Sequence, residues 1–175
     1  MTVEPFHVSD RYFFILTGLV IVATAGFVVW SYPYLPAHLP IHVTLVGRVD
    51  GWSNSPLMIF LPLVLQLLLT GLISWTYRHP QYVHLPHRLQ VRSLPQPLPG
   101  QLIRIARHLV AVVNVLAVLI LADLTEAMMV TGLGLRDHLG TPVMFLMVGF
   151  LLLVIGAYTL WINRLLVRPS MTTSS

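Results

Sequence analysis

The chain of 175 residues lacks cysteine and has few charged side chains. Without cysteine it has no disulfide, no thiolate ligand for zinc and no thiol nucleophile. Charged residues make up 9% of the chain, against about a quarter in an average soluble domain, whereas apolar residues make up 56%. This composition argues against a water-soluble domain and indicates an integral membrane protein.

Lysine is also missing, so the ten basic residues are all arginine, and six acidic residues leave a formal net charge of +4. In so apolar a chain, arginines are expected beside membrane spans, where anionic headgroups on the cytoplasmic side of the bilayer are their expected partners. The sequence has no glycine-rich phosphate loop, no serine nucleophile motif and no nucleic-acid recognition motif. We therefore expect no nucleic-acid partner.

Long apolar runs predict the fold class. We expect an all-α integral membrane protein, a single membrane domain of four transmembrane helices in an up-down bundle over residues 1–175. Each run is close to the roughly 20 residues that cross a hydrocarbon core. The four spans are predicted at about residues 12–31, 57–75, 108–130 and 143–162.

Local signals refine the spans. Ser9 and Asp10 are expected to accept amide hydrogens of the first helical turn. A signal-peptide cleavage site at residues 23–25 is the alternative to a first span, but the apolar run continues to residue 30. Gln66 and Thr70 lie four residues apart and are expected to face another helix. The proline-rich residues 93–100 are predicted not to be helical, and no heptad repeat is evident.

The arginines predict sidedness, because cytoplasmic flanks of membrane proteins are enriched in basic residues. The amino terminus, the loop after the second span and the carboxyl terminus contain Arg11, Arg78, Arg88, Arg92, Arg104, Arg107, Arg164 and Arg168. The other two loops contain only Arg48 and Arg136. Both termini are therefore predicted to be cytoplasmic, and the loop between the first two spans is predicted to lie outside.

This first outer loop has the most distinctive motif of the chain. It reads Tyr34-Leu35-Pro36-Ala37-His38-Leu39-Pro40-Ile41-His42 and continues with Gly47-Arg48-Val49-Asp50-Gly51-Trp52-Ser53. Two prolines stiffen it, Gly47 permits backbone angles closed to other residues, and Asp50-Gly51 is a tight-turn signal. We expect an ordered loop packed over the outer end of the bundle.

This motif resembles the bacterial membrane family called domain of unknown function 1648, a module similar to the amino-terminal part of SdpI-type immunity proteins. The resemblance covers about residues 30–90. It includes a cytoplasmic motif after the second span, formed by His79, Pro80, His84, Leu85 and Pro86. Family members commonly have a lysine shortly after the Asp-Gly turn, where this chain has Ser53-Asn54-Ser55.

The resemblance implies a multi-pass protein of the bacterial cytoplasmic (inner) membrane. It also implies a function in recognition, immunity or signal transduction, because SdpI-type proteins protect a cell from a secreted toxin and act in signalling. The implied partner is a peptide toxin or a membrane or regulatory protein.

Polar residues of the third span are expected at the same membrane surface as the outer loop. Asp123 and Glu126 share one helical face near the outer end of this span. A carboxylate at that depth is costly unless it is paired, neutralised or facing a wet cavity. We therefore predict a ligand pocket of His38, His42, Gly47, Asp50, Gly51, Trp52, Asp123 and Glu126.

Two interpretations of this pocket stay open. Imidazole and carboxylate are ligands of zinc and similar ions, so His42, Asp50 and Glu126 are candidate ligands for a divalent metal, the one candidate cofactor. In the structural interpretation, Asp50 caps its own turn and His42 bonds to Asp123 or Glu126, which fastens the loop to the bundle.

Three functions are therefore compatible with the sequence. Recognition through the outer pocket is favoured over enzymatic activity. The alternative is a metal-dependent or acid-base membrane enzyme with its site at the outer leaflet. A transporter component is disfavoured, because Asn114 and Asp123 lie nine residues apart, on opposite sides of the third helix, and form no polar track.

Overall fold

The computed structural model describes residues 8–44, 47–78, 98–137 and 142–167. Within these residues, four α-helices are long and apolar enough to cross a membrane, which confirms the predicted class of a four-helix membrane protein. The helices are α1 (Val8–Ser31), α2 (Leu61–Arg78), α3 (Leu98–Gly132) and α4 (Pro142–Val167).

The connection between α1 and α2 contains the two strands of the described chain. A 3-10 turn at Tyr32–Tyr34 leads into β1 (Leu39–Val43), and β2 (Val49–Ser53) is followed by a second 3-10 turn at Pro56–Phe60. The strands pair antiparallel, with Leu39 opposite Ser53 and Val43 opposite Val49. The segment between the first two helices is therefore a β-hairpin.

Helix α3 is central, since α1, α2 and α4 all pack against it. The start of α1 meets the end of α2 and the first half of α3 through Asp10, Tyr77 and His108. At its other end, α1 packs through Val28 into a cluster with Met128 of α3. Consequently α1 and α3 run in the same direction and α2 runs in the opposite one.

The buried face of α1 is polar at intervals of seven residues. Asp10, Thr17, Thr24 and Ser31 are each 5% exposed or less. A seven-residue spacing keeps side chains along one seam between two wrapped helices. The sequence analysis found no heptad repeat, and this polar spacing differs from the apolar a and d positions that define one.

Helix α3 begins at Leu98, well before the predicted start at residue 108. The expectation that residues 93–100 are not helical was wrong for Leu98–Gly100. Pro99 lies in the first turn, where no amide hydrogen is needed, so it is compatible with the start of a helix.

Candidate functional site

The hairpin is closed by a tight turn and a close approach of its strands. The Thr44 amide donates to the Arg48 carbonyl at 2.8 Å, and Gly47 has a φ of 82°, in the left-handed region that favours glycine. Gly51 lies opposite His42, and a Cβ at residue 51 would be 2.8 Å from the His42 Cβ. The pairing of the strands therefore requires glycine at residue 51.

The inner side of the hairpin packs on the end of α3. Leu39 is fully buried in a cluster with Val28, Ile59, Ala127 and Met128. At the end of α3, a Cβ on Gly132 would be 2.9 Å from Leu39 Cδ2. Because residue 132 is a glycine, the hairpin can approach the end of α3 closely. The buried Leu39 fixes the position of the hairpin.

Four side chains of the two strands are exposed and are here together called the hairpin face: Ile41, His42, Asp50 and Trp52. Exposure alternates along β2, so Asp50 and Trp52 lie on one side of the strand. His42 Nδ1 lies 2.6 Å from Asp50 Oδ1, with 72% and 43% of the two side chains exposed. Trp52 and Ile41 are about half exposed. The hairpin face therefore combines a hydrogen-bonded imidazole–carboxylate pair with apolar contact area.

A second histidine of the predicted pocket also has a partner. His38 Nδ1 lies 2.8 Å from Asn54 Oδ1, and this contact joins the start of the hairpin to its end. Asn54 was not among the predicted site residues, although it lies in the segment Ser53-Asn54-Ser55 that follows the Asp-Gly turn. In this chain the segment provides a neutral hydrogen-bond partner.

The acidic residues of α3 lie at the hairpin end of the molecule. Val49 and Leu124, the chain neighbours of Asp50 and Asp123, pack against the same core cluster. Glu126 Oε2 lies 3.7 Å from a guanidinium nitrogen of Arg136. The predicted pocket residues therefore share one end of the molecule, where His42 pairs with Asp50 in the hairpin and Glu126 pairs with Arg136 just after α3.

Two details of the predicted pocket require correction. His42 pairs with Asp50 rather than with Asp123 or Glu126, because the strand register sets His42 opposite Gly51, the chain neighbour of Asp50. In the described parts of the chain, no group of three or more histidine, aspartate or glutamate side chains is arranged to hold a metal ion. His42, Asp50 and Glu126 therefore do not form the metal site considered from the sequence.

The predicted cytoplasmic motif cannot be placed in this description. His79, Pro80, His84, Leu85 and Pro86 lie outside the described residues.

A buried polar cluster at the opposite end of the bundle was missed by the sequence analysis. Asp10 is 2% exposed, the Tyr77 hydroxyl donates to its Oδ2 at 2.7 Å, and His108 Nδ1 lies 2.8 Å from its Oδ1. Helix α1 begins at Val8, so Asp10 lies in the first turn and bonds to two other helices, whereas the sequence predicted only a capping role. The three side chains, here called the Asp10 cluster, join α1, α2 and α3.

The distribution of arginines could have predicted this cluster from the sequence. It predicts that the start of the first span, the end of the second and the start of the third lie on one side of the membrane. Asp10, Tyr77 and His108 occupy those three places. An acid, a phenol and an imidazole at one membrane level are candidates for a mutual hydrogen-bond network, since an unpaired carboxylate is costly there.

A second polar layer lies deeper in the bundle. The fully buried Asn114 accepts a hydrogen bond from the Thr70 hydroxyl at 3.2 Å, and its Nδ2 donates to Thr17 Oγ1 at 3.4 Å. This layer joins the same three helices. It is here called the Asn114 layer.

A third polar layer is built around Gln66. Its Nε2 donates to the Val118 carbonyl at 3.0 Å and to Thr24 Oγ1 at 3.4 Å, and the side chain is fully buried. The prediction that Gln66 and Thr70 face another helix is confirmed by these contacts. Polar contacts between neighbouring helices therefore occur at three levels of the bundle.

Comparison with known proteins gives one match. Residues 19–67 match the model of a family described as Domain of unknown function (DUF1648). This range contains most of α1, the whole hairpin and the first part of α2. No curated protein matches the chain, and no solved structure matches it either.

Proposed function

We propose that this multi-pass membrane protein, whose residues 19–67 match the DUF1648 family model, recognises a partner at one membrane surface through its hairpin face. The partner is a peptide toxin or another membrane or regulatory protein, and the activity is immunity or signal transduction in a bacterial cytoplasmic membrane. The observation that supports this proposal is the exposed hairpin face, where Trp52 and Ile41 accompany the His42–Asp50 pair.

The composition of the hairpin face suits binding. Tryptophan is enriched among the residues that dominate binding energy, because it offers a large, rigid contact area. The paired imidazole and carboxylate add directional groups that select a partner by hydrogen bonding. The face is also fixed before a partner arrives, because Leu39 anchors the hairpin on α3, so little ordering cost opposes binding.

The alternative of an acid-base enzyme has less support. A carboxylate beside an imidazole is the arrangement that orients a catalytic histidine. Catalytic pairs act in sites that exclude water, where electrostatic interactions are strong. His42 and Asp50 instead have largely exposed side chains, which favours recognition.

A transporter component has less support as well. A path for protons or ions needs a continuous series of polar groups that hydrogen-bond to one another from one membrane surface to the other. The hydroxyls of Thr17 and Thr24 donate to carbonyls of their own helix, Phe13 and Val20, at 2.9 Å. These polar layers therefore favour helix packing over conduction.

The proposal is tested with tryptophan fluorescence in lipid vesicles. The chain has four tryptophans, so changing Trp30, Trp75 and Trp161 to Phe leaves Trp52 as the reporter on the hairpin face. The probe is the peptide fraction that the source bacterium secretes into its medium. We expect a saturable emission shift that Asp50→Asn weakens.

A matched reporter and a growth assay complete the test. A variant that keeps only Trp161, on α4, is expected to give no shift. Cells that produce Asp50→Asn are expected to grow more poorly in the peptide fraction than cells with the unchanged protein. An equal shift from both reporters, or a shift from neither, contradicts recognition at the hairpin face.

A further inference from the structure

Each member of the Asp10 cluster has an arginine as its chain neighbour. Arg11 follows Asp10, Arg78 follows Tyr77, and Arg107 precedes His108. Since the three cluster residues are in direct contact, the backbones of the three arginines come together from three different helices. The cluster therefore places the backbones of three arginines at one end of the bundle.

One of these arginines has a fixed position. The Arg107 Cζ lies 5.5 Å from the centroid of the Tyr77 ring, a cation-π contact. The Tyr77 hydroxyl donates a hydrogen bond to Asp10, so the Tyr77 ring beneath the Arg107 guanidinium has a fixed orientation. Stacking and a short hydrogen bond thus orient Arg107 before any ligand binds.

One nitrogen of the same guanidinium, Nε, is buried and has no hydrogen-bond partner among the residues described. A buried donor without an acceptor is unfavourable, and it is more so when the donor is charged. An oxyanion bound beside Arg107 would supply the acceptor that these residues do not.

The depth of the three arginines in the membrane indicates which oxyanion is available to bind them. The apolar spans of α1 and α2 end at Asp10 and Arg78, which places this end of the bundle at the edge of the hydrocarbon. Phosphate groups of lipids lie directly outside that edge. Arginine binds phosphate oxygens through two parallel N–H bonds, which a lysine cannot reproduce.

We propose that Arg11, Arg78 and Arg107 form a binding site for the phosphate of an anionic phospholipid headgroup, with Arg107 as its fixed donor. The carboxylate of Asp10 does not repel the ligand strongly, because it is almost fully buried and both of its oxygens are bonded inward. The site is independent of the hairpin face, which lies at the other end of the bundle.

The test compares two arginines on one helix. Arg104 lies one turn before Arg107 on α3 and is exposed, so it represents a surface arginine that attracts lipid only by its charge. Native mass spectrometry of the solubilised protein, titrated with phosphatidylglycerol, measures lipid binding. Arg107→Gln is expected to weaken binding roughly 10- to 100-fold, as the loss of a charged hydrogen bond does. Arg104→Gln is expected to weaken it about fivefold or less.

Two further variants separate binding from folding. Arg107→Lys keeps the charge but not the planar guanidinium, so its loss of binding should be close to that of Arg107→Gln. Ile59→Ala destabilises the bundle at its hairpin end without touching the arginines, and it should bind lipid at least as well as Arg104→Gln does. Equal losses for the two glutamine variants, or full binding by Arg107→Lys, would overturn the site.

A soluble competitor distinguishes the source of the phosphate. Glycerol phosphate carries the same oxyanion without the acyl chains. We expect it to displace phosphatidylglycerol only at a large molar excess. Displacement at comparable concentrations would show a soluble phosphate ester as the ligand and would overturn the assignment to a lipid.

Discussion

Two pairs of aspartate and histidine have similar geometry in opposite surroundings. The contact in His42–Asp50 is 2.6 Å long between largely exposed side chains, and the contact in His108–Asp10 is 2.8 Å long with the carboxylate 3% exposed. An exposed pair contributes little because water screens it. A buried carboxylate that loses its partner becomes an uncompensated charge. The two pairs therefore differ in what their removal costs.

We expect His108→Ala to lower the free energy of unfolding by about 3 kcal/mol, the lower part of the range for breaking a buried pair, since His108 is partly exposed. The matched change His42→Ala is expected to cost less than about 1 kcal/mol. Thermal unfolding in detergent measures both. Equal losses in the two variants would show that the burial of Asp10 does not set the cost.

Gly51→Ala tests the close approach within the hairpin. The new Cβ would lie 2.8 Å from the His42 Cβ, so one strand has to shift. We expect a loss of about 1–3 kcal/mol, the usual cost of overpacking, seen as a lower unfolding temperature. Gly71→Ala, with no atom within 4 Å of the added Cβ, is the control and is expected to be neutral or slightly stabilising.

At the scale of elements, polar layers and one short turn hold the helices in register. The Asn114 layer connects α1, α2 and α3 through Thr17, Thr70 and Asn114. Interhelical hydrogen bonds in membranes are weaker than their burial suggests, because the separated helices also find partners for these groups. The layers therefore fix register more than they add stability.

A double-mutant cycle with Thr70→Val and Asn114→Ala measures how much the hydrogen bond between these two residues stabilises the bundle. The expected coupling between residues 70 and 114 is about 0.6 kcal/mol, the average for such bonds in membrane proteins. Reversible unfolding of the two single variants and the double variant gives the value. A coupling near zero would mean that the 3.2 Å contact does not contribute in the membrane.

Shortening an apolar side chain to alanine should cost more stability in the 3-10 turn before α2 than on the outer side of α4. Ile59 is fully buried between α1, β1 and α3, whereas Leu153 on α4 is 65% exposed to the surroundings of the bundle. We expect Ile59→Ala to cost about 2–4 kcal/mol through the cavity it leaves. Leu153→Ala is expected to cost less than about 0.5 kcal/mol. Similar unfolding temperatures for the two variants would contradict this placement of Ile59.

Hydrophobic length was sufficient to predict the four helices, because a membrane span requires an uninterrupted apolar run. The partners of side chains were predictable only where the spacing of residues along a single helix determined which way the side chains face. Gln66 and Thr70 share a face and do meet another helix, whereas the partner of His42 depended on the strand register, which loop composition did not specify. Asp10 was misjudged because its partners lie 67 and 98 residues away in the sequence.

At the scale of the whole molecule, the described arginines are distributed unequally between the two ends. Arg48 and Arg136 lie at the hairpin end, whereas Arg11, Arg78 and Arg107 surround the Asp10 cluster. Basic flanks are retained on the cytoplasmic side during insertion. We therefore expect the hairpin to lie outside the cytoplasm.

The lack of cysteine makes this orientation easy to test. Ala37→Cys places one thiol at the hairpin end, and Gly100→Cys places one at the start of α3, both at exposed positions. A membrane-impermeant maleimide is expected to label Ala37→Cys in intact cells and Gly100→Cys only after permeabilisation. The reverse pattern would place the hairpin in the cytoplasm.

The seven-residue polar seam of α1 restricts how this molecule can transmit a signal. Asp10, Thr17, Thr24 and Ser31 all face inward, so a quarter-turn of α1 about its axis would bring all four toward lipid at once. Asp10, Thr17 and Thr24 would then lose their hydrogen bonds to α2 and α3 at a cost. Twisting of α1 is thus opposed at three levels. Among the residues described, helix α4 contributes no side chain to these polar layers, so a signal between the two membrane surfaces is carried with the least disruption by a movement of α4.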